Sequence, residues 1–184
     1  MSESLQSEII RIENEADCLY TFDQVQDAIR QVALQISPVL SDQCPLVCGV
    51  MNGAIPFMGM LLPCLPFVLE IDYFHVSRYD GELQGGDQIH WRAVPQHSLA
   101  DRVVLVVDDI LDQGKTLEVI KKYCEEQGAK AVYTAVLVKK RLQHAVACHA
   151  DFVAIEAEDR YLFGCGMDYK GYLRNAPGIF AVKA

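Results

Sequence analysis

Residues 103–107 form a run of five branched apolar side chains, and the run ends in two acids, Asp108 and Asp109. A run of this kind is typical of a strand buried on both faces, as in a parallel sheet covered by helices. The following turn carries a third acid, Asp112, and residues 115–127 have the composition of a helix. Ligands of parallel α/β sheets bind where strands end, so we expect the binding site here.

The start of that helix suits a phosphate group, because a helix N-terminus offers free backbone N–H groups and a positive dipole end. Three acids beside a phosphate would repel it unless a divalent cation or a positively charged reaction centre lies between them.

A nucleotide P-loop is the main competing interpretation, since Gly114, Lys115 and Thr116 match the end of that motif. The P-loop also needs a glycine where this chain has Asp109, so we reject it. A buried strand followed by a merely solvated acidic turn is the remaining alternative.

Length and charge exclude several classes of protein. With 184 residues, 51% of them apolar, the chain is predicted to form one domain (1–184) with a sizeable core. A net charge of −9 argues against nucleic-acid binding, which needs a basic face. The N-terminal segment lacks the apolar stretch of a signal peptide. The uncharged stretch 43–69 is interrupted by four prolines, which a membrane helix would not tolerate, so we expect no membrane contact.

The seven cysteines are odd in number and scattered, which favours reduced thiols and a cytoplasmic protein. Cys44 with Cys48, and the group of His144, Cys148 and His149, lack a second well-spaced ligand pair, so we do not expect a metal site there.

Strand and helix patterns alternate along the chain, which predicts an α/β fold with a mainly parallel sheet flanked by helices. A helix is expected to begin at Thr21 or Asp23 and to end near Leu40. The polar, glycine-containing segment 77–87 is predicted to be a mobile loop. Besides the motif strand, we expect strands at 46–50, 67–76, 88–92, 131–138 and 152–157.

The segment from the apolar run to Thr116 resembles the phosphoribosyl diphosphate (PRPP) motif of type I phosphoribosyltransferases. The one departure is Gln113, where the family has a small hydroxyl residue. The resemblance implies the type I phosphoribosyltransferase fold, with a small hood formed by the N-terminal segment and by about 158–184. It also implies that PRPP is bound by Asp108, Asp109, Asp112, Gln113, Gly114, Lys115 and Thr116.

Further segments resemble the hypoxanthine-guanine phosphoribosyltransferases. Asn52 and Gly53 match the diphosphate loop, which often carries a non-proline cis peptide, here the bond between Met51 and Asn52. Some members have lysine at the position of Asn52, and an Asn-Gly pair alone is an ordinary turn. Arg174 matches an arginine that grips the leaving diphosphate, a task suited to its fixed fork of donors.

The same resemblance implies a purine site. Lys139 matches a donor to the 6-oxygen of the base, and Tyr161 matches a ring that stacks on it. Leu162 and Asp168 would face the base edge, and Asp168 is also associated with a second magnesium ion.

The Ser-Tyr pair that closes over the diphosphate is matched loosely by Ser77, Arg78 and Tyr79, with either of the first two in the serine position.

The implied reaction is purine salvage: hypoxanthine or guanine reacts with PRPP to give IMP or GMP and diphosphate. Magnesium would be held by Asp108, Asp109 and Asp168, and Asp112 would accept the N7 proton. Family members are usually dimers or tetramers, so a homodimer or homotetramer is expected. Two alternatives stay open: an enzyme that prefers xanthine or guanine, and a PRPP-sensing regulator on the same fold. The acidic segment of about 20 residues at the start is too short for a DNA-binding module.

Overall fold

The computed structural model describes residues 4–78, 89–143 and 145–183. In chain order the elements are α1 (Leu5–Glu15), β1 (Asp17–Thr21), α2 (Phe22–Leu40), β2 (Leu46–Met51), α3 (Ala54–Leu61), a 3₁₀ turn (Leu62–Cys64), β3 (Glu70–Arg78), β4 (Ile89–Ala93), β5 (Val103–Leu111), α4 (Lys115–Glu126), β6 (Ala131–Arg141), β7 (Phe152–Glu158), β8 (Leu162–Phe163) and β9 (Gly178–Ala181).

Six strands form the central sheet in the order β4-β3-β2-β5-β6-β7. Neighbouring strands run parallel except for β3 and β4, which are antiparallel. The motif strand β5 lies between β2 and β6, so its acids emerge near the middle of the sheet edge where ligands bind. The predicted mainly parallel α/β sheet is confirmed.

Alternate residues of β5 face the two sides of the sheet, as the pleat of a strand requires. Leu105 and Val107 pack in a cluster with α2 and α3, whereas Val104 and Val106 pack in a cluster with α4. The sheet is therefore covered by helices on both faces, which explains the unbroken apolar run in the sequence.

Helix α2 begins as predicted, because Thr21 and Gln24 cap it reciprocally. The Thr21 side chain accepts from the Gln24 N–H at 3.4 Å, and the Gln24 carboxamide oxygen accepts from the Thr21 N–H at 2.9 Å. The uncharged stretch 43–69 forms β2, α3 and the 3₁₀ turn. Among the described helices, none has the length and apolar character needed to span a membrane.

A second, antiparallel sheet is built from both terminal parts of the chain, in the order β1-β9-β8. Helix α1, which the sequence patterns did not indicate, buries Ile9 and Ile12 against Phe163 and Leu173 of this unit. These segments coincide with those predicted to form the hood.

Candidate active site

The candidate phosphate loop connects β5 to α4. Gly114 has a φ of 80°, a left-handed conformation that suits glycine, and Lys115 is the first residue of α4. A Cβ at Gly114 would come within 2.7 Å of the backbone N and O of Cys148. The Ala147 N–H donates to the Gln113 carbonyl at 2.9 Å. The segment that precedes β7 thus supports the loop from outside, which no local pattern indicated.

Asp108 and Asp109 follow the apolar run of β5 and are themselves buried. Asp109 packs closely against Gly53 at the start of α3. A Cβ on Gly53 would overlap with the Asp109 carboxylate. Burial raises the pKa of the Asp109 carboxyl, although Asp108 and Arg174 act in the opposite direction. The peptide bond between Met51 and Asn52, the bond that the sequence singled out, is cis.

Arg174 links two of the predicted acids. Its Nη2 lies 2.6 Å from Asp168 Oδ1, and its Nη1 lies 3.7 Å from Asp109 Oδ2. The same Nη1 donates to the Gly166 carbonyl at 2.5 Å. A guanidinium between two carboxylates is held in place before any ligand arrives, so Arg174 is a positioned cation beside Asp109 and Asp168.

A cavity of about 250 Å³ opens between the end of β5 and the hood. It contains five of the residues predicted for the site, together with a lysine on β6 and two apolar side chains. The lining residues are Asp109, Ile110, Asp112, Lys140, Tyr161, Leu162, Met167 and Asp168.

The lysine in this cavity is Lys140, whereas the resemblance selected Lys139. Lys140 is 13% exposed and its Nζ lies 3.7 Å from Asp112 Oδ2 and 3.3 Å from Asp159 Oδ1. Lys139 is 36% exposed, lies outside the cavity lining and pairs with Glu156 at 3.0 Å. Neighbouring side chains on a strand point to opposite faces, so a shift of one position moves the ammonium to the other face of the sheet. The structure therefore does not bring Lys139 to this cavity, which is lined by Lys140 instead.

A family model for the phosphoribosyl transferase domain matches residues 17–170. The chain belongs to this phosphoribosyltransferase family. The hypoxanthine-guanine phosphoribosyltransferase of Streptococcus pneumoniae is 29% identical over 165 residues, which cover 90% of this chain and 92% of that protein. The bifunctional protein TilS/HprT of Listeria innocua is 30% identical over 182 residues, which cover 99% of this chain but only 27% of that protein. A crystal structure of a hypoxanthine phosphoribosyltransferase from Staphylococcus aureus has a TM-score of 0.86 at 25% identity, over 98% of this chain and 97% of that one.

The sequence comparison predicted a magnesium ion, and the carboxylates near the cavity fit that ion in part. Within the ranges described, no group of three or more His, Cys, Asp and Glu side chains converges to hold a metal alone. Magnesium is commonly held by one or two carboxylates together with phosphate oxygens of the substrate. Asp109 and Asp168 offer carboxylates of that kind beside Arg174, and Asp108 adjoins Asp109.

The predicted closing loop is only partly visible. Ser77 and Arg78 are the last residues of β3, where they pair with His90 and Ile89 of β4, so the strand ends two residues later than predicted. Tyr79 and most of the predicted mobile loop lie outside the described residues. The closing role of Ser77, Arg78 and Tyr79 stays a prediction.

Proposed function

We propose that this phosphoribosyltransferase transfers the 5-phosphoribosyl group from PRPP to hypoxanthine or guanine and releases diphosphate. The observation that carries the proposal is the ammonium of Lys140 at 3.7 Å from the carboxylate of Asp112, inside a cavity next to the phosphate loop. The Hoogsteen edge of a 6-oxopurine carries an oxygen acceptor beside N7. An ammonium donor next to a carboxylate acceptor complements an edge of this kind when N7 bears a proton.

The base would enter against Tyr161, whose side chain is 53% exposed at the cavity and free to stack. Lys140 would donate to the 6-oxygen. Asp112 would accept the N7 proton as N9 bonds to the anomeric carbon and the bond from that carbon to the diphosphate oxygen breaks. Leu162 and Asp168 line the same cavity and would meet the remaining edge of the ring. Adenine carries an amino group where the 6-oxopurines carry oxygen, so it would place a donor against the ammonium and could not accept a hydrogen bond from it.

The phosphates of PRPP would be held on both sides of the ribose. The 5′-phosphate would be bound by backbone N–H groups of residues 112–116 and the Thr116 hydroxyl at the N-terminus of α4. Asp108 and Asp109 would face the ribose hydroxyls, where carboxylates also stabilise the positive charge that develops at the anomeric carbon. The diphosphate would meet the Asn52–Gly53 turn and the guanidinium of Arg174.

Magnesium, when bound by Asp108, Asp109 and Asp168 together with diphosphate oxygens, supplies positive charge that stabilises the leaving group. Arg174 already lies between two of these acids, so the protein side of that site is ordered in advance.

The proposal also covers the domain organisation, the oligomeric state and the cellular location. Residues 1–184 act as one phosphoribosyltransferase domain, which is supported by the pairing of β1 with β9 across the length of the chain. The enzyme is a homodimer or homotetramer, to be measured by light scattering. It works in the cytoplasm, which is supported by seven unpaired cysteines.

The decisive experiment measures PRPP-dependent conversion of hypoxanthine, guanine, xanthine and adenine by the purified chain with magnesium. Hypoxanthine and guanine should be converted, and adenine should be slower by several orders of magnitude. Adenine turnover within tenfold of hypoxanthine turnover would overturn the base assignment. Faster turnover of xanthine than hypoxanthine would favour the alternative specificity, and PRPP binding without turnover of any base would favour a regulatory protein.

A further inference from the structure

Among the residues that the structure describes, one aromatic ring packs against the ring of Tyr161. The rings of Tyr161 and Tyr169 meet edge to face, with centroids 5.5 Å apart and an angle of 69° between their planes. Tyr161 is otherwise 53% exposed, and the Val182 N–H donates to its backbone carbonyl at 2.9 Å. The backbone of Tyr161 is therefore tied down, while Tyr169 is its aromatic contact.

Tyr169 is in turn held by a residue from the other end of the chain. Its hydroxyl donates to Glu8 Oε1 at 2.7 Å, and Lys170 Nζ donates to the same oxygen at 2.6 Å. The Lys170 ammonium also lies 5.6 Å from the centre of the Tyr169 ring. The hydrogen bonds from Lys170 and Tyr169 lower the pKa of Glu8, so this carboxylate is ionised at neutral pH.

Glu8 lies on α1, and α1 is anchored in the hood. Ile9 and Ile12 of α1 are buried with Phe163 and Leu173. The carboxylate of Glu8 therefore contacts Tyr169 from a packed helix. A chain of contacts runs from α1 through Tyr169 to Tyr161 at the cavity.

We propose that Glu8 is a positioning residue for the purine subsite, acting through Tyr169 on the ring of Tyr161. The inference rests on the proposed stacking role of Tyr161. A half-exposed ring that is held in one orientation loses less conformational freedom when a base stacks on it, so the base binds more tightly. The proposed 5′-phosphate loop connects β5 to α4 and is not part of the hood, so the affinity for PRPP should depend little on Glu8.

The test compares Michaelis constants for hypoxanthine and PRPP in matched variants. Glu8→Ala and Tyr169→Phe should each raise the Michaelis constant for hypoxanthine about three- to tenfold, the range of an aromatic-pair contact. The constant for PRPP should change less than twofold. Glu8→Gln keeps an oxygen acceptor for the tyrosine hydroxyl and should recover most of the loss. Glu13→Ala, at an exposed position of the same helix, should behave as the wild type.

A double substitution separates positioning from general damage to the hood. Tyr161→Ala should itself weaken hypoxanthine, and Glu8→Ala should then add less than a twofold effect, because the two residues act on one contact. A full effect of Glu8→Ala without the Tyr161 ring, an equal rise in both Michaelis constants, or no rise at all would overturn the inference while leaving the proposed function intact. A wild-type chain that converts neither hypoxanthine nor guanine would overturn both.

Discussion

The ammonium of Lys140 lies 3.7 Å from the carboxylate of Asp112 inside the cavity, and the two residues come from the ends of adjacent strands. Lys139 lies outside the cavity lining and pairs with Glu156. We therefore expect Lys140→Met to raise the Michaelis constant for hypoxanthine about 10- to 100-fold, the loss of a hydrogen bond from a charged donor. Lys139→Met is the matched control and should change it less than twofold. Steady-state kinetics with both variants decide between the lysines, and the reverse pattern would restore Lys139.

Replacement of the proposed general base should separate binding from chemistry. Asp112→Asn keeps the shape of the side chain but cannot accept the N7 proton, so turnover should fall about 10²- to 10⁴-fold with PRPP affinity nearly unchanged. PRPP affinity can be followed by calorimetry alongside kcat. Near-normal turnover with both guanine and hypoxanthine would exclude Asp112 as the base.

Gly53 is expected to tolerate no side chain, although its φ of −61° is allowed for any residue. A Cβ there would overlap with the Asp109 carboxylate, so Gly53→Ala should displace that carboxylate and weaken PRPP binding at least tenfold. Gly59→Ala on the same helix meets nothing within 4 Å and should leave activity unchanged while adding up to about 1 kcal/mol of stability. Equal kinetics in the two variants would show that the Gly53–Asp109 contact is not needed.

Gln113, the departure from the PRPP motif, has an exposed side chain, and its carbonyl accepts from Ala147. We expect the loop to work without a side-chain donor here, with a raised Michaelis constant for PRPP. Gln113→Thr should then lower that constant several-fold and change kcat little, because the phosphate is held alike in the ground and transition states. Weaker PRPP binding by Gln113→Thr would show that Gln113 itself grips the phosphate.

Asp72 predicts a pH dependence of stability. Its carboxylate accepts from the backbone N–H groups of Tyr73, Gln96 and His97 and contacts the His97 ring at 2.7 Å. Burial acts to raise its pKa, but these hydrogen bonds outweigh burial and lower it. A lowered pKa in the folded state stabilises the protein above the unfolded-state value of about 3.9, and this contribution is lost as pH falls through the folded-state pKa.

Asp72→Asn should therefore lower the free energy of unfolding by about 1–3 kcal/mol between pH 5 and 7. The difference from the wild type should shrink below about pH 4. Urea unfolding at several pH values measures this difference in the free energy of unfolding. A difference that stays constant down to pH 3 would contradict the argument.

Local sequence predicted the elements whose signals are local. The cap at Thr21, the buried run of β5 and the helix after Gly114 all depend on residues within one or two turns of each other, and each was found close to its predicted place. Helix α1 was missed because its apolar face has few residues and is completed only by Phe163 and Leu173 of the hood.

By itself, then, the sequence determined a mainly parallel α/β sheet, the loop between β5 and α4 and the identity of the acids around it, because these follow from residue type and spacing along one segment. Only the tertiary structure decided that Lys140 faces Asp112, that Arg174 lies between Asp109 and Asp168, and that Glu8 reaches Tyr169. These contacts join residues from separate segments, and strand register and the docking of the hood decide which side chains meet.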